Sequence, residues 1–406
     1  MLYQDLLNIQ EEIALDPKEQ SKFLDHALNE LTIGIPKERL HEEKRVALIP
    51  SAIQTLIQRG HKVFVEKGAG TDSHYSDEEY IKSGAFIVYS TSELYSKAKI
   101  IVKVQPPSDE ECTYIQNQQI IFSALNIGTI RKNYFHTLQQ KQVTGIAYEY
   151  IENSQGDLPI VKVLSEITGA LCVQIAARYL ESVNKGRGIL LGGIAGIPSA
   201  TVVILGAGTV GEYAARAALG NGAQVIILDR DISKLREVEA KLDRRVTTAI
   251  SNQYYLNKVV RFADVLIGAI SLRGEKNPYI ISEDMVKNMK PGAVILDISI
   301  DQGGCIETSR PTTYSNPVFI KHGVTHYCVP NIPTIVARTA SNALTNALIP
   351  YILDIGDHNN INTALWKNLT LRNGTYMYKG FCTKRNLTDL FALSYRDIEI
   401  LLTESI

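Results

Sequence analysis

The residues best placed to do chemistry lie in TVVILGAGTVGEYAARAALGNGAQVIILDRD, where Gly206-x-Gly208-x-x-Gly211 follows an apolar run and opens an alanine-rich helical stretch. In that setting Gly206 permits a tight turn. Gly208 lets the backbone approach a pyrophosphate at the helix N-terminus, and Gly211 allows close packing of helix on strand. Thr209 and Val210, inside the motif, count with them as cofactor-binding positions. Asp229 ends the next strand, 23 residues after Gly206, where a carboxylate accepts hydrogen bonds from the adenosine ribose hydroxyls and repels a 2′-phosphate. The pattern favours NAD over NADP, a preference weakened by Arg230 directly after it. Gly68-Ala69-Gly70 also follows a strand but lacks the third glycine and the acidic strand end, so it reads as a structural turn.

No metal site is signalled. The histidines lie on unrelated segments. Only His322 and His326 share a four-residue spacing, in a loop-to-strand context that does not suit a metal pair. The five cysteines (Cys112, Cys172, Cys305, Cys328, Cys382) are scattered without a C-x-x-C pair and read as free thiols in a reducing compartment. With 42 Lys+Arg against 43 Asp+Glu, no overall field points to nucleic acid or acidic lipid as a partner. The acidic N-terminus lacks the basic region and apolar core of a signal peptide, and no run of about 18 apolar residues is expected anywhere. These features predict a cytoplasmic protein with a small-molecule partner and no membrane contact.

The elements that must position these residues form two series. Residues 1–31 place Leu2, Leu6, Leu7 and Ile13 at helical spacing and read as an appended arm. From Thr32, short apolar strands (TIGIP, KVFVE, AFIVY, KIIVKV, QIIFSAL, GIAYEY) alternate with helical stretches, the pattern of a parallel α/β domain. A long helical segment, 163–184, leads to a glycine-rich stretch, and a second strand–helix series starts at Thr201, which puts a domain boundary near Lys162. An apolar helix from Val336 to about Leu353 ends that series, and the tail is expected to return to the first lobe, the aromatics of NGTYMYKGFC serving packing.

Three segments, GIPKERLHEEKRVALIP, the GAGTVG strand–helix and AVILDISIDQGGCIETSRPTTYSNPVF, together resemble the alanine dehydrogenase and transhydrogenase α-subunit family over about Ile33 to Tyr351. The DQGG-to-RPTTY stretch resembles the alanine dehydrogenase branch in particular. The resemblance implies an α/β fold of two Rossmann-like doubly wound lobes. An NAD lobe, residues 162–337, is inserted in a discontinuous substrate lobe, residues 32–161 plus 338–406. It further implies a homo-oligomer and reversible oxidative deamination of L-alanine to pyruvate and ammonium in a cleft between the lobes.

Carried onto this chain, the family's carboxylate-gripping arginine falls on Arg45 in Glu43-Lys44-Arg45-Val46-Ala47, and a planar guanidinium suits that role. The catalytic aspartate falls on Asp301, expected at the C-terminal end of a strand in which Asp297 is the structural competitor. For the cofactor, the resemblance implies Ser165, Lys234 and Ser251, then the Ile270-Ser271 turn and Ile298. It adds Asp301 itself, Arg310 and the loop holding Asn331.

Two departures stand out. The family's K-V-K-E-P is Lys103-Val104-Gln105-Pro106-Pro107 here, so its second lysine, on the substrate, becomes Gln105. The family's catalytic histidine aligns with Asn126, and asparagine is no general base near neutral pH. Lys103 offers a substitute substrate contact, because residues two apart in a strand share a face. Tyr148 and Glu149, ending GIAYEY, are placed to reach the same cleft. An NAD-dependent alanine dehydrogenase is the leading reading. A transhydrogenase-like hydride-transfer module and a non-catalytic NAD-binding or sensory protein stay open beside it.

Overall fold

The computed structural model describes residues 30–40, 42–128, 130, 132–270, 278–358 and 360–404. The expected N-terminal arm, apart from its last two residues, together with His41 and Ser271, lies outside the described residues.

Six strands open the chain: β1 (Thr32–Ile35), β2 (Lys62–Glu66), β3 (Phe86–Val88), β4 (Ile100–Val102), β5 (Ile120–Ser123) and β6 (Thr144–Ala147). Seven more follow: β7 (Thr201–Leu205), β8 (Gln224–Asp229), β9 (Thr247–Ile250), β10 (Val265–Gly268), β11 (Val294–Asp297), β12 (Val318–Lys321) and β13 (Val324–Tyr327). The tail adds β14 (Thr375–Tyr378) and β15 (Phe381–Cys382). They form two sheets, ordered β15-β14-β6-β5-β4-β1-β2-β3 and β12-β13-β11-β10-β7-β8-β9. Each contains a parallel six-strand core in which the order reverses beside its first strand, between β1 and β4 and between β7 and β10. This is the doubly wound order, whose ligands bind outside the carboxyl ends of the strands at the reversal.

By contacts the chain divides into two compact units. One holds the residues up to Asn126, Ile130–Ile160 and Ser341–Ile406, and the other holds Ile127–Thr129 and Val161–Ala340. In the second unit alternate strand residues feed two separate cores. Val202, Ile204, Val265, Ile267, Val294 and Leu296 pack on one face. Val203, Leu205, Leu266 and Ile295 pack on the other. A parallel strand covered by helices on both sides must be apolar at every position, which is why these segments read as unbroken hydrophobic runs.

Helix Pro159–Leu180 is, among the described residues, the one long and apolar enough to cross a membrane, with a mean hydropathy of 1.6. The expectation of no apolar run of about 18 residues missed this helix, because Lys162, Glu166 and Arg178 interrupt it. Its Leu171, Cys172, Val173, Ala176 and Leu180 belong to the core cluster that contains Ala214 and Ala218 of the helix after β7.

Two elements escaped the sequence reading. β12 pairs antiparallel with β13 through His322-Gly323, and β14 with β15 through Lys379-Gly380. Both turn residues of each pair have positive φ, the conformation of tight hairpin turns. The second hairpin joins β6, so the tail does return to the first unit. Its aromatics pack as expected: Tyr376 and Tyr378 are each 1% exposed, and Tyr376 shares a 2.6 Å hydrogen bond with Tyr134.

Candidate active site

In the second unit, the turn after β7 is shaped by what its glycines exclude. Gly206 has φ +106°, and a Cβ there would lie 2.5 Å from the Ala269 carbonyl oxygen. A Cβ on Gly211 would lie 1.9 Å from the Gly206 carbonyl oxygen, so the helix can start only where residue 211 has none. Gly208 faces open space, the cradle into which a side chain would otherwise project. Helix Thr209–Gly220 begins there without a side-chain cap, so its first N–H groups, Thr209 and Val210 among them, point out of the helix end. Such an end attracts anionic oxygen.

Asp229 closes β8 and is half-buried. Its Oδ2 accepts from Ala207 N at 2.7 Å and its Oδ1 from Asp231 N at 2.9 Å, which ties the carboxylate to the glycine turn. Ser251 follows β9 and donates its N–H to the Asp229 carbonyl at 2.9 Å. Lys234 is exposed in the first turn of helix Ile232–Lys241. After β10, Ile270 N donates to Ser299 Oγ at 3.0 Å, and Ser299 Oγ lies 2.7 Å from the Ile270 carbonyl. That clasp joins the turn after β10 to the one after β11.

The expected strand-end position of Asp301 needs correcting. β11 stops at Asp297, and Asp301 sits four residues on, exposed, in the 3₁₀ turn Ile298–Gln302 with half-buried Ile298. Asp297 is 1% exposed and accepts from the N–H groups of Cys305 (3.1 Å) and Ile306 (3.2 Å), a structural role. Asn331 follows β13 with φ +58°, and its carbonyl accepts from Tyr314 Oη at 2.8 Å. Gly206, Gly208, Gly211, Asp229, Ser251, Ile270, Ile298, Asp301 and Asn331 thus gather beyond the carboxyl ends of one sheet's strands. Ser165, half-buried on helix Pro159–Leu180, and Arg310, whose guanidinium lies 4.6 Å from the Phe319 ring centroid, come from outside those strand ends. Cradle, uncapped helix end and acidic strand end fit a dinucleotide.

In the first unit, the segment after β1 carries Arg45, 4% exposed. Its Nε donates to Glu43 Oε1 and its Nη2 to Glu43 Oε2, each at 2.7 Å, a bidentate pair that fixes the guanidinium plane. Burial alone would raise the Glu43 carboxyl, but the Arg45 charge and hydrogen bonds from Arg45 and Gln105 outweigh it and hold it at about 2. Helix Ala337–Asp357 steadies the segment. Ser341 Oγ accepts from Val46 N at 2.9 Å, and Thr345 Oγ1 accepts from Ile49 N at 3.1 Å.

Beyond β4 the departures form one chain. Gln105 Nε2 donates to Glu43 Oε2 at 2.8 Å, and Asn126 Nδ2 donates to Gln105 Oε1 at 2.5 Å. Asn126 itself has φ +48°. Lys103, expected on a face shared with Gln105, is 1% exposed and turned to other partners. Its Nζ donates to Glu111 Oε1 at 2.6 Å and lies 3.4 Å from Glu38 Oε2. β4 ends at Val102, so strand alternation no longer governs residues 103 and 105. Burial would lower the Lys103 ammonium's proton affinity, but Glu38 and Glu111 raise it, so the group stays charged. Glu38 in turn accepts from Val104 N (2.7 Å) and Gln105 N (3.3 Å). Sequence reasoning missed Glu38, Glu111 and the role of Glu43. The Glu43-x-Arg45 spacing was the one local signal, because the other partners are distant in sequence.

His326 is buried and committed locally, with Nδ1 3.0 Å from the Val324 carbonyl and Nε2 2.8 Å from Thr308 Oγ1. His322 Nε2 lies 2.6 Å from Glu283. Among the described residues, no cluster of three or more histidine, cysteine or acidic residues could hold a metal.

Two doubly wound sheets, one bearing a glycine-rich helix entry with an acidic strand end, define a dinucleotide-binding α/β protein. Residues 34–168 match the N-terminal domain, and residues 172–385 the C-terminal domain, described as alanine dehydrogenase/PNT. An alanine dehydrogenase of Methanococcus maripaludis is 42% identical over 363 residues, covering 88% of this chain and 97% of that protein. A solved L-alanine dehydrogenase superposes with a TM-score of 0.85 at 37% identity, covering 89% of this chain and 99% of the other. A transhydrogenase from Sinorhizobium meliloti, at 21% identity and a TM-score of 0.73 over 87% of this chain and 99% of its own, shares the fold. The chain belongs to the alanine dehydrogenase/PNT family.

Two outcomes follow for measurement. Asp229→Ala should weaken NADH binding while improving NADPH relative to NADH, because ribose hydrogen bonds are lost and repulsion of a 2′-phosphate is relieved. Fluorescence titration with both nucleotides checks this, and an unchanged preference contradicts it. Glu38 is raised from 4.5 to about 7, first by burial, then by Glu111 and Glu43 against the lowering effect of Lys103. The folded state therefore keeps a proton that the unfolded chain has released, and this contribution to stability is lost as pH rises from 4.5 through about 7. Denaturant unfolding of Glu38→Gln across that window should show a flatter pH dependence than wild type. An unaltered slope would refute the assignment.

Proposed function

We propose that this chain is an NAD-dependent L-alanine dehydrogenase, converting L-alanine, NAD and water to pyruvate, ammonium and NADH, and the reverse. What carries the reading is about 40% identity to proteins of that name over nearly the whole chain. NAD, when bound, accepts the hydride from the substrate Cα. The unit Val161–Ala340 holds it, with the pyrophosphate at Gly208, Thr209 and Val210 and the adenosine ribose on Asp229. Lys234, Ser251, Ile270, Ile298, Arg310, Asn331 and Ser165 complete that set, and Ser271 stays with them on resemblance alone.

The other unit holds the amino acid. Arg45, its plane set by Glu43, takes the substrate carboxylate, and Asp301, in the unit that holds NAD, is read as the catalytic aspartate. Lys103 is read as a positioning residue rather than a substrate contact, a reading supported by its ion pairs with Glu111 and Glu38. Gln105 and Asn126 favour the second reading, a non-catalytic NAD-binding protein, since they replace a cation and a base.

The protein is also proposed to be a cytoplasmic homo-oligomer. Supporting self-association, Val183, Leu190, Ile194 and Ile197 are exposed close together in sequence, at 87, 65, 66 and 61%. An apolar stretch of that kind is rarely left bare.

Purified protein with NAD and L-alanine at alkaline pH should form NADH, and a protein that binds NADH but turns over no amino acid would support the second reading. Arg45→Lys keeps a cation on Glu43 but loses the fork, so it should raise the alanine KM by about 10- to 100-fold and leave NADH binding unchanged. An unchanged KM excludes Arg45 as the carboxylate ligand. Light scattering at micromolar concentration should give a mass of at least two chains, and a monomer mass sinks the self-association proposal.

A further inference from the structure

Beyond β5 and β6 lies a carboxylate that nothing above uses. Glu149 Oε1 accepts from Leu125 N and from Asn126 N, each at 2.9 Å, and Oε2 accepts a longer share of the Leu125 N–H at 3.0 Å. The carboxylate is therefore fastened to the backbone of the residue at which the family resemblance would put a histidine. The buried carboxylates beyond β1 and β4 are paired: Glu43 with Arg45, and Glu111 and Glu38 with Lys103. Glu149 has no ion-pair partner among the described residues, and the residue is half-buried. Oε2 carries one shared N–H, which leaves lone-pair capacity for a proton.

We infer that Glu149 is the proton acceptor of the deamination step, set beside residue 126 in place of the absent histidine. The inference rests on the alanine dehydrogenase reading and supplies the group that Asn126 cannot. The substrate ammonium first loses a proton to solvent, and the hydride then leaves Cα, giving the protonated imino acid. As a water oxygen bonds to the imine carbon, Glu149 takes one proton from that water. Glu149 returns that proton to the carbinolamine nitrogen, and as the C–N bond breaks it takes the remaining hydroxyl proton and passes it to the departing ammonia. Protonated imino acid and water become oxo acid and ammonium, and the carboxylate is regenerated.

The surroundings suit the task. Burial raises the carboxyl of Glu149 above its ordinary value against three lowering backbone hydrogen bonds. The titratable groups facing it are Tyr148 and Tyr150 from the same strand end and Tyr376 from β14. Burial raises all three phenols, so they stay protonated and neutral.

The test is steady-state kinetics of the full-length protein with L-alanine and NAD from pH 6 to 10. Glu149→Gln keeps an oxygen for the Leu125 and Asn126 N–H groups but cannot take the proton. It should lower kcat by about 10²- to 10⁴-fold, with alanine KM within a few-fold and NADH binding unchanged, and erase the acidic limb of the kcat profile. Adding Asn126→His to Glu149→Gln should recover at least about 10-fold of that loss, as expected when one placed base replaces another. A kcat for Glu149→Gln within about threefold of wild type, or an unaltered acidic limb, would overturn the inference while leaving the dehydrogenase reading intact. Wild-type protein that binds NADH but turns over no amino acid would overturn both. Should Glu149→Gln fail to bind NADH, Glu149→Asp decides instead: its acidic limb must persist, and loss of that limb overturns the inference.

Discussion

Charge taken out of water has to be matched, and that requirement organises the first unit beyond its strand ends. Arg45 and Lys103 are both almost fully buried, and a buried cation without a partner costs several kcal/mol. Glu43 answers the first and Glu111 with Glu38 the second. Because Glu38 also accepts the N–H groups of Val104 and Gln105, the pairing reaches from β1 across the reversal to β4. Gln105 donates to Glu43, and Asn126 donates to the oxygen that Gln105 offers.

The second unit solves a different problem with backbone rather than charge. Its ligand is a large anion, and close approach matters more than any side chain. Gly206 and Gly211 are required because their neighbours already occupy the space of a Cβ, whereas Gly208 is required because its space must stay empty. One sheet order thus carries two styles of recognition. A buried ion pair fixes the Arg45 guanidinium in one unit, and an uncapped helix end stands over the glycine turn in the other.

How much of this the sequence disclosed follows from range. The glycine turn, Asp229 and the parallel cores were legible because their signals are local: a three-glycine spacing, an acid ending a strand, and apolar runs. Arg45 was singled out through resemblance, and its buried pair with Glu43 came only with the fold. The Glu43–Gln105–Asn126 chain was not, since its members lie 62 and 21 residues apart and meet only when β1, β4 and β5 align. Lys103 misled because period-two alternation was extended past the last strand residue. The two hairpins were missed because each strand is short and its turn holds His-Gly or Lys-Gly rather than the usual asparagine or aspartate before glycine.

The hydrogen bonds from Val46 and Ile49 to Ser341 and Thr345 span 295 and 296 residues of chain. On the ribosome, the Arg45 segment emerges long before the helix that anchors it has been made. Chains grow at about 5–20 residues per second, so the segment waits on the order of tens of seconds for its supports. The inserted unit, by contrast, is made as one continuous stretch apart from Ile127–Thr129 and can close on its own contacts. Birth order and anchoring order therefore run opposite to each other: the first-made segment is the last to gain its supports, and a nascent chain can close its glycine turn before the Arg45 segment is anchored.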